Sequence, residues 1–129
     1  FELDPDDMAT IRRIAREQGG MVQISGDCEE ALVGADAVYV KSWGSVAHFG
    51  RPAEEAELRR GLRDWRMTAP RLKNTRSGKG IVMHCLPVRR NVEIDDAVLD
   101  GPNSVVVDQA ENRLHAQRAL RLTMIGSQA

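Results

Sequence analysis

Short apolar runs alternate with helical segments along the chain, and this alternation constrains the fold more than any other feature. We predict strands at residues 21–24, 37–40, 81–83 and 104–107. Strands that are separated by helices are joined by crossover connections, which place them parallel in one sheet. The sequence therefore predicts an α/β fold of three layers, with a mostly parallel sheet and helices on both of its faces.

Capping residues and apolar spacing predict the helices between these strands. The first begins at an Asp4 N-cap, has Pro5 at its first helical position and ends at the Gly19-Gly20 pair. The remaining helices are expected after Asp27, at residues 53–60, at residues 64–73 and from Asp108 onward.

Length, charge and cysteine content limit the kind of protein that this can be. The chain has 129 residues, which suits one domain, and its 18 basic and 19 acidic residues leave a formal net charge of −1. This balance gives no field that would recruit nucleic acid or an anionic membrane, and no apolar run is long enough to span a bilayer. Cys28 and Cys85 lie far apart, so we expect no disulfide and a reducing, cytoplasmic compartment. Because the chain begins with Phe1, we expect it to be part of a longer protein.

Polar segments follow three of the predicted strands at the point where each strand ends. They are residues 41–44, residues 84–87 and residues 108–113. The carboxyl ends of parallel strands meet at one edge of a sheet, where ligands bind in such folds. The cations in or near these segments suit a small substrate that carries carboxylate or phosphate groups, and they are Lys41, Arg89 and Arg113.

Three other interpretations of the polar residues are open from the pattern alone. Cys85 beside His84 could form a nucleophilic pair, but neighbours on an extended segment point to opposite sides. A zinc site made of His48, His84, Cys85 and His115 has no regular ligand spacing. Taken one at a time, the same residues also suit plain structural roles, with Cys85 packed at a strand end and Trp43 in the core. The sequence has no G-x-G-x-x-G motif and no phosphate-binding P-loop.

Three ordered segments resemble the ornithine-type transcarbamylases, and among them the members that act on N-acetylornithine. The segments are KSWG at residues 41–44, HCLPVRRN at residues 84–91 and ENRLH at residues 111–115. The resemblance covers essentially the whole chain, residues 1–129, as the C-terminal, amino-acid-binding half of such an enzyme, a Rossmann-like domain. The N-terminal half of such enzymes, which binds carbamoyl phosphate, has no counterpart in the sequence.

The resemblance implies a reaction and its partners. A carbamoyl group passes from carbamoyl phosphate to the side-chain amine of N-acetylornithine, in arginine biosynthesis, with no metal and no organic cofactor. The implied partners are those two substrates, the N-terminal domain and, in the intact enzyme, two further copies in a homotrimer. Two alternatives remain open: N-succinylornithine or ornithine as the substrate, or a catalytically silent domain that binds an acylated amino acid or a partner.

The same resemblance implies roles for the segment at residues 84–87. The Leu86–Pro87 bond is expected to be cis, which is a conformation essentially restricted to proline. Pro87 would then have a structural role and turn the carbonyls of Cys85 and Leu86 toward the carbamoyl and amine nitrogens. The Cys85 thiol is expected to position the amine rather than attack covalently.

Four charged residues receive roles from the resemblance. Arg113 is expected to contact carbamoyl phosphate and to stabilise oxyanion charge, Lys41 to contact the amino-acid substrate, and Arg89 to serve as a second cation. Glu93 stands where many acetylornithine enzymes have a lysine carboxylated by carbon dioxide, so it is expected to be a substrate-binding residue that supplies an anion without modification. We expect the chain alone to be inactive. Since we expect it to lack the first strand of its domain, we also expect it to be marginally stable or to self-associate.

Overall fold

The computed structural model describes residues 3–126, which form a parallel sheet with helices packed around it. The α/β class predicted from the sequence is therefore confirmed. In chain order the elements are α1 (Pro5–Glu17), α2 (Cys28–Leu32), β1 (Ala37–Val40), α3 (Pro52–Arg60), α4 (Ala69–Leu72), β2 (Ile81–His84), α5 (Asp96–Leu99) and α6 (Val106–Gly126), with 3-10 turns at Val46–His48, Arg63–Trp65 and Arg76–Gly78. No helix within residues 3–126 is both long and apolar enough to cross a membrane.

The sheet consists of β1 and β2, which pair in parallel from Ala37 opposite Ile81 to Val40 opposite His84. The predicted strand at residues 104–107 is wrong, because only Ser104 bridges to the sheet before α6 begins. The backbone of Val82 forms two hydrogen bonds with this segment, one to the carbonyl of Asn103 and one from the N–H of Val105, and α6 begins directly afterwards. The sheet is thus narrower than the sequence predicted.

The predicted strand at residues 21–24 is also wrong. Within residues 3–126 this segment pairs with no strand, and Met21 and Ile24 are 85% and 59% exposed. A strand requires a neighbour to complete its ladder of backbone hydrogen bonds, and apolar composition alone supplies none.

The predicted helix at residues 64–73 is split into two short pieces. The chain is extended at Met67, whose backbone exchanges hydrogen bonds of 2.9 Å with the backbone on either side of Ile94. Pro70 lacks the N–H that the interior of a longer helix needs, so it is accommodated only in the first turn of α4. By contrast, α1 begins as predicted, because the Asp4 carboxylate accepts the backbone N–H groups of the first turn.

The core lies between β2 and the short helices. Its buried members are Leu32, Met67, Val82, Ile94 and Val98. Burying an apolar side chain of this size stabilises the fold by about 1.5–3 kcal/mol, so this small cluster fixes the position of β2. The segment that follows β2 starts from this fixed point.

Candidate active site

The polar segments that follow β1 and β2 lie side by side. Val40 is opposite His84 in the parallel register, so Lys41 and Cys85 leave the same edge of the sheet on adjacent strands. Neighbouring strands are about 4.8 Å apart. The expected convergence at the carboxyl edge is therefore confirmed for these two segments.

The third segment reaches the same edge through Gln109, in the first turns of α6. The Gln109 amide oxygen accepts the backbone N–H of His84 at 3.0 Å, and its amide nitrogen donates to the Tyr39 hydroxyl, also at 3.0 Å. One side chain thus ties the ends of both strands to the helix that carries Arg113. Gln109 was not among the predicted site residues, because a single amide at the start of a helix belongs to no spacing pattern that indicates a site.

The segment after β2 has the backbone conformation that the resemblance implied. The Leu86–Pro87 peptide bond is cis, and Leu86 has φ of 54°. The backbone N–H of Leu86 donates to His84 Nδ1 at 2.9 Å. The imidazole of His84 therefore holds the backbone of Leu86, whose carbonyl group forms the peptide bond to Pro87.

A buried ion-pair network lies behind this segment. The side chains of His84 and Glu93 are both 0% exposed, and His84 Nε2 lies 3.1 Å from Glu93 Oε2. The Glu93 carboxylate also accepts the backbone N–H of Arg89 at 3.1 Å and Arg89 Nε at 2.7 Å. Burial alone raises the pKa of Glu93, but the hydrogen bonds and the charge of Arg89 outweigh it and hold that pKa below its ordinary value. Glu93 is an anion at neutral pH.

The hydrogen bonds determine which nitrogen of His84 carries a proton. Nδ1 accepts the N–H of Leu86, so it has a free lone pair, and the proton lies on Nε2, which donates to Glu93. Both ring nitrogens are then engaged within the protein, while the Cys85 side chain is exposed. His84 is thus not placed to deprotonate the thiol, and the structure gives no support to a nucleophilic pair.

Cys85, Leu86 and Arg113 share one cavity of about 540 Å³. Arg113 has no hydrogen-bond or ion-pair partner within residues 3–126, so its guanidinium is available to a ligand. The full lining is Tyr39, His84, Cys85, Leu86, Gln109, Ala110, Arg113, Leu114 and Gln117. This cavity combines a strand-end carbonyl segment with one free cation, which suits a small polar substrate carrying an anionic group.

The other predicted site residues lie beside this cavity rather than in it. Lys41 lines a neighbouring cavity of about 570 Å³ together with Trp43 and Trp65. Arg89, whose side chain is 46% exposed, borders a third cavity, and Glu93 is enclosed behind the site. In the part of the chain that the structure describes, no group of three or more His, Cys, Asp or Glu side chains is placed to hold a metal ion.

Comparison with known proteins identifies the family. Residues 1–124 match the family described as "Aspartate/ornithine carbamoyltransferase, Asp/Orn binding domain". This match covers most of the chain, so the chain belongs to the aspartate/ornithine carbamoyltransferase family. The family resemblance inferred from residues 41–44, 84–91 and 111–115 is confirmed.

Curated relatives of two kinds are similar to the chain. An N-acetylornithine carbamoyltransferase of Xanthomonas campestris is 42% identical over 126 residues, which are 98% of this chain and 37% of the relative. An ornithine carbamoyltransferase of Thermococcus kodakarensis is 38% identical over 126 residues, which are 98% of this chain and 39% of the relative. The chain therefore spans little more than a third of the length of these relatives.

Solved structures of N-acetyl-L-ornithine transcarbamylase resemble the chain in fold. One, complexed with acetylcitrulline, has a TM-score of 0.85 and 39% identity and is matched over 95% of this chain and 36% of that one. A mutant complexed with carbamyl phosphate and N-succinyl-L-norvaline gives the same TM-score, identity and coverage.

Proposed function

We propose that this chain supplies the amino-acid-binding part of an enzyme that transfers the carbamoyl group of carbamoyl phosphate to the side-chain amine of N-acetylornithine. The observation that carries the proposal is the cis-proline segment at residues 84–87, which shares a cavity with the free guanidinium of Arg113. The relatives and solved structures named for N-acetylornithine support this substrate over ornithine.

Cys85, Leu86 and Arg113 contact the reacting groups in this proposal. The carbonyls of Cys85 and Leu86 accept hydrogen bonds from the carbamoyl NH2 and from the attacking amine. The Arg113 guanidinium neutralises the charge that develops on the carbamoyl oxygen and on the phosphate. The exposed Cys85 thiol lies beside the path of the amine and stays unmodified.

The chemistry is a displacement at the carbamoyl carbon. The neutral side-chain amine attacks with its lone pair, a C–N bond forms, and the C–O bond to phosphate breaks with its electron pair leaving on phosphate. The amine loses one proton, which leaves with the phosphate. The products are N-acetylcitrulline and inorganic phosphate, and the step requires no electron transfer.

Lys41 and Arg89 bind the amino-acid end of the substrate in this proposal. Lys41 leaves the sheet next to Cys85, in a cavity walled by two indole rings, which suits a carboxylate joined to an apolar acyl group. Arg89 keeps its two terminal nitrogens free, because only its Nε and backbone N–H are bonded to Glu93.

Glu93 acts on this site through its neighbours rather than by touching the substrate. Its carboxylate is enclosed, and it binds the two groups that hold the substrate-facing segment, His84 and Arg89. We propose that this permanent anion replaces a carboxylated lysine, so that added bicarbonate has no effect on activity.

The N-terminal domain, the oligomeric state and the compartment of the whole enzyme are also part of the proposal. We propose that the chain works with an N-terminal domain that binds carbamoyl phosphate, within a homotrimer, and in the cytoplasm in arginine biosynthesis. The sequence contains no segment that resembles the family's phosphate-binding loop, so we expect no turnover from the chain on its own.

The test is an assay of N-acetylcitrulline formation by the chain alone and by the chain joined to the carbamoyl-phosphate-binding half of the Xanthomonas campestris relative. Parallel reactions contain N-succinylornithine or ornithine. Arg113→Gln should lower the rate of the joined enzyme by at least about a hundredfold, which is the usual loss of one oxyanion donor. Arg118→Gln is the matched control, because it removes an exposed arginine of α6 that lies outside the cavity.

Each possible result of these assays bears on a different part of the proposal. Turnover of ornithine alone would move the substrate assignment to the second group of relatives. Turnover by the isolated chain would contradict the two-part site. Binding of N-acetylornithine to the joined protein without any carbamoylation would favour a silent binding domain and overturn the proposed activity.

A further inference from the structure

Five arginines line one cavity beside the loop that follows the cis-proline segment. The cavity measures about 420 Å³, and its lining residues include no carboxylate. They are Trp43, Ala56, Arg59, Arg60, Arg63, Arg66, Arg89, Asn91 and Val92. We call it the arginine cavity. Like charges that converge on a concave surface repel one another and concentrate anions from solution.

Four of these guanidinium groups are held in place by acids that lie outside the cavity lining. Each acid lies within 3.0 Å of its arginine, and the pairs are Arg59 with Glu55, Arg60 with Glu57, Arg66 with Asp95 and Arg89 with Glu93. An acid that engages part of a guanidinium positions it and leaves its other N–H groups for a second acceptor. The acids therefore orient the cavity wall and compensate much of its charge.

Two residues keep donors available for a ligand. Arg63 has no hydrogen-bond or ion-pair partner within residues 3–126, so all five of its N–H donors are free of protein acceptors. Arg89 binds Glu93 through Nε, which leaves its terminal nitrogens unbonded to protein within the same range. The indole of Trp43, which is partly buried, forms an apolar wall beside them.

We propose that the arginine cavity binds a small dianion, such as inorganic phosphate or a dicarboxylate. Two oxyanion groups, or one doubly charged one, can accept hydrogen bonds from the free donors of Arg63 and Arg89. The cavity is distinct from the one that contains Cys85 and Arg113. The arginine cavity shares Arg89 with the proposed amino-acid site, whereas Arg63 has no role in the proposed reaction, so a test on Arg63 holds whether or not that reaction is correct.

The test uses the fluorescence of Trp43 in the full chain. Trp65 is the other of the two tryptophans and does not line the arginine cavity, so Trp65→Phe leaves Trp43 as the single reporter. This variant is titrated with phosphate and separately with succinate, with sodium chloride added to keep the ionic strength constant. We expect a saturable change at millimolar concentrations or below.

Two further variants decide whether the arginines are responsible. Arg63→Gln, added to Trp65→Phe, should weaken binding about fivefold to tenfold, because it removes one charge-assisted contact at a partly solvated site. Arg118→Gln in the same background removes another exposed positive charge, on α6 and outside the arginine cavity, and should leave the affinity unchanged. Circular dichroism of each variant confirms that the chain is folded.

The outcomes separate the two ligand sources. Saturation by phosphate alone assigns a phosphate site, saturation by succinate alone assigns a dicarboxylate site, and saturation by both assigns a general dianion site. A linear response to both anions would overturn the proposal. So would equal affinities for the Arg63→Gln and Arg118→Gln proteins, since binding would then reflect net charge only.

Discussion

Glu93→Gln removes one charge from a fully buried carboxylate and keeps the shape of the side chain. Glu93 accepts three hydrogen bonds, from His84 Nε2, from the backbone of Arg89 and from Arg89 Nε. A glutamine has one acceptor oxygen, so one of its two ends presents an NH2 group to an N–H donor. Either the Arg89 side chain swings into solvent, or His84 and the Arg89 backbone lose their acceptor.

The expected cost is about 1–3 kcal/mol of unfolding free energy. A hydrogen bond to a charged group contributes about 1.5–3 kcal/mol, and the 46% exposure of the Arg89 side chain lowers its share. Glu93→Ala should cost about 3–5 kcal/mol, because it leaves His84 and Arg89 without their buried partner. Domain stabilities are about 5–15 kcal/mol in total, so in a chain expected to be marginally stable the smaller loss should be measurable and the larger one should leave much of the protein unfolded.

The difference between wild type and Glu93→Gln should depend on pH in one direction. The folded state lowers the pKa of Glu93 below its unfolded value of about 4.3. The charge therefore stabilises the fold fully at pH values above the unfolded pKa, and this contribution is lost as the pH falls through the folded pKa. The gap between the two proteins should be constant near neutrality and shrink below about pH 4.

Urea unfolding followed by far-ultraviolet circular dichroism measures this gap at each pH. Glu57→Gln is the control, because Glu57 is 68% exposed and pairs with an exposed arginine, and it should cost less than about 0.5 kcal/mol. Equal midpoints for Glu93→Gln and Glu57→Gln would refute the reasoning. A gap that stays constant down to strongly acidic pH would show that lost packing, and not lost charge, causes the effect.

Two further predictions concern packing and thiol reactivity. Gly80→Ala should cost about 1–3 kcal/mol in the same urea assay, because an added Cβ would lie 2.7 Å from the Thr75 Cβ, whereas Gly26→Ala has no atom within 4 Å and should be nearly neutral. A maleimide should label the exposed Cys85 before Cys28, since burial raises the pKa of the half-buried Cys28 thiol, and mass spectrometry of peptides after short reaction times measures the order. Faster labelling of Cys28 would show that α2 opens readily.

The sequence predicted the elements that depend on neighbours along the chain. The starts of α1 and α2 follow from the aspartates at positions 4 and 27, whose side chains accept backbone N–H groups within three residues. The strands at residues 21–24 and 104–107 were predicted wrongly from equally apolar segments. Pairing depends on which segment lies alongside, and composition does not contain that information.

The candidate site also has one part that the sequence predicted and one part that it did not. The cis-proline segment was predicted because the order of residues 84–87 is itself the signal, and the structure confirms the cis bond. The Gln109 bridge to Tyr39 was not predicted, because the two residues are 70 positions apart and each is ordinary in its own element. Sequence motifs indicate where a site lies, whereas the side chains that hold it in place depend on packing.

Arg89 connects the two sites proposed here and shows why the surroundings of Glu93 matter. Its Nε is bonded to Glu93, which through His84 holds the backbone N–H of Leu86. Arg89 also lines the arginine cavity. An anion bound in that cavity, as proposed, would therefore attract the guanidinium that the buried carboxylate already holds. Together the two anions would hold Arg89 more firmly than either does alone, and with it the backbone between Arg89 and Leu86.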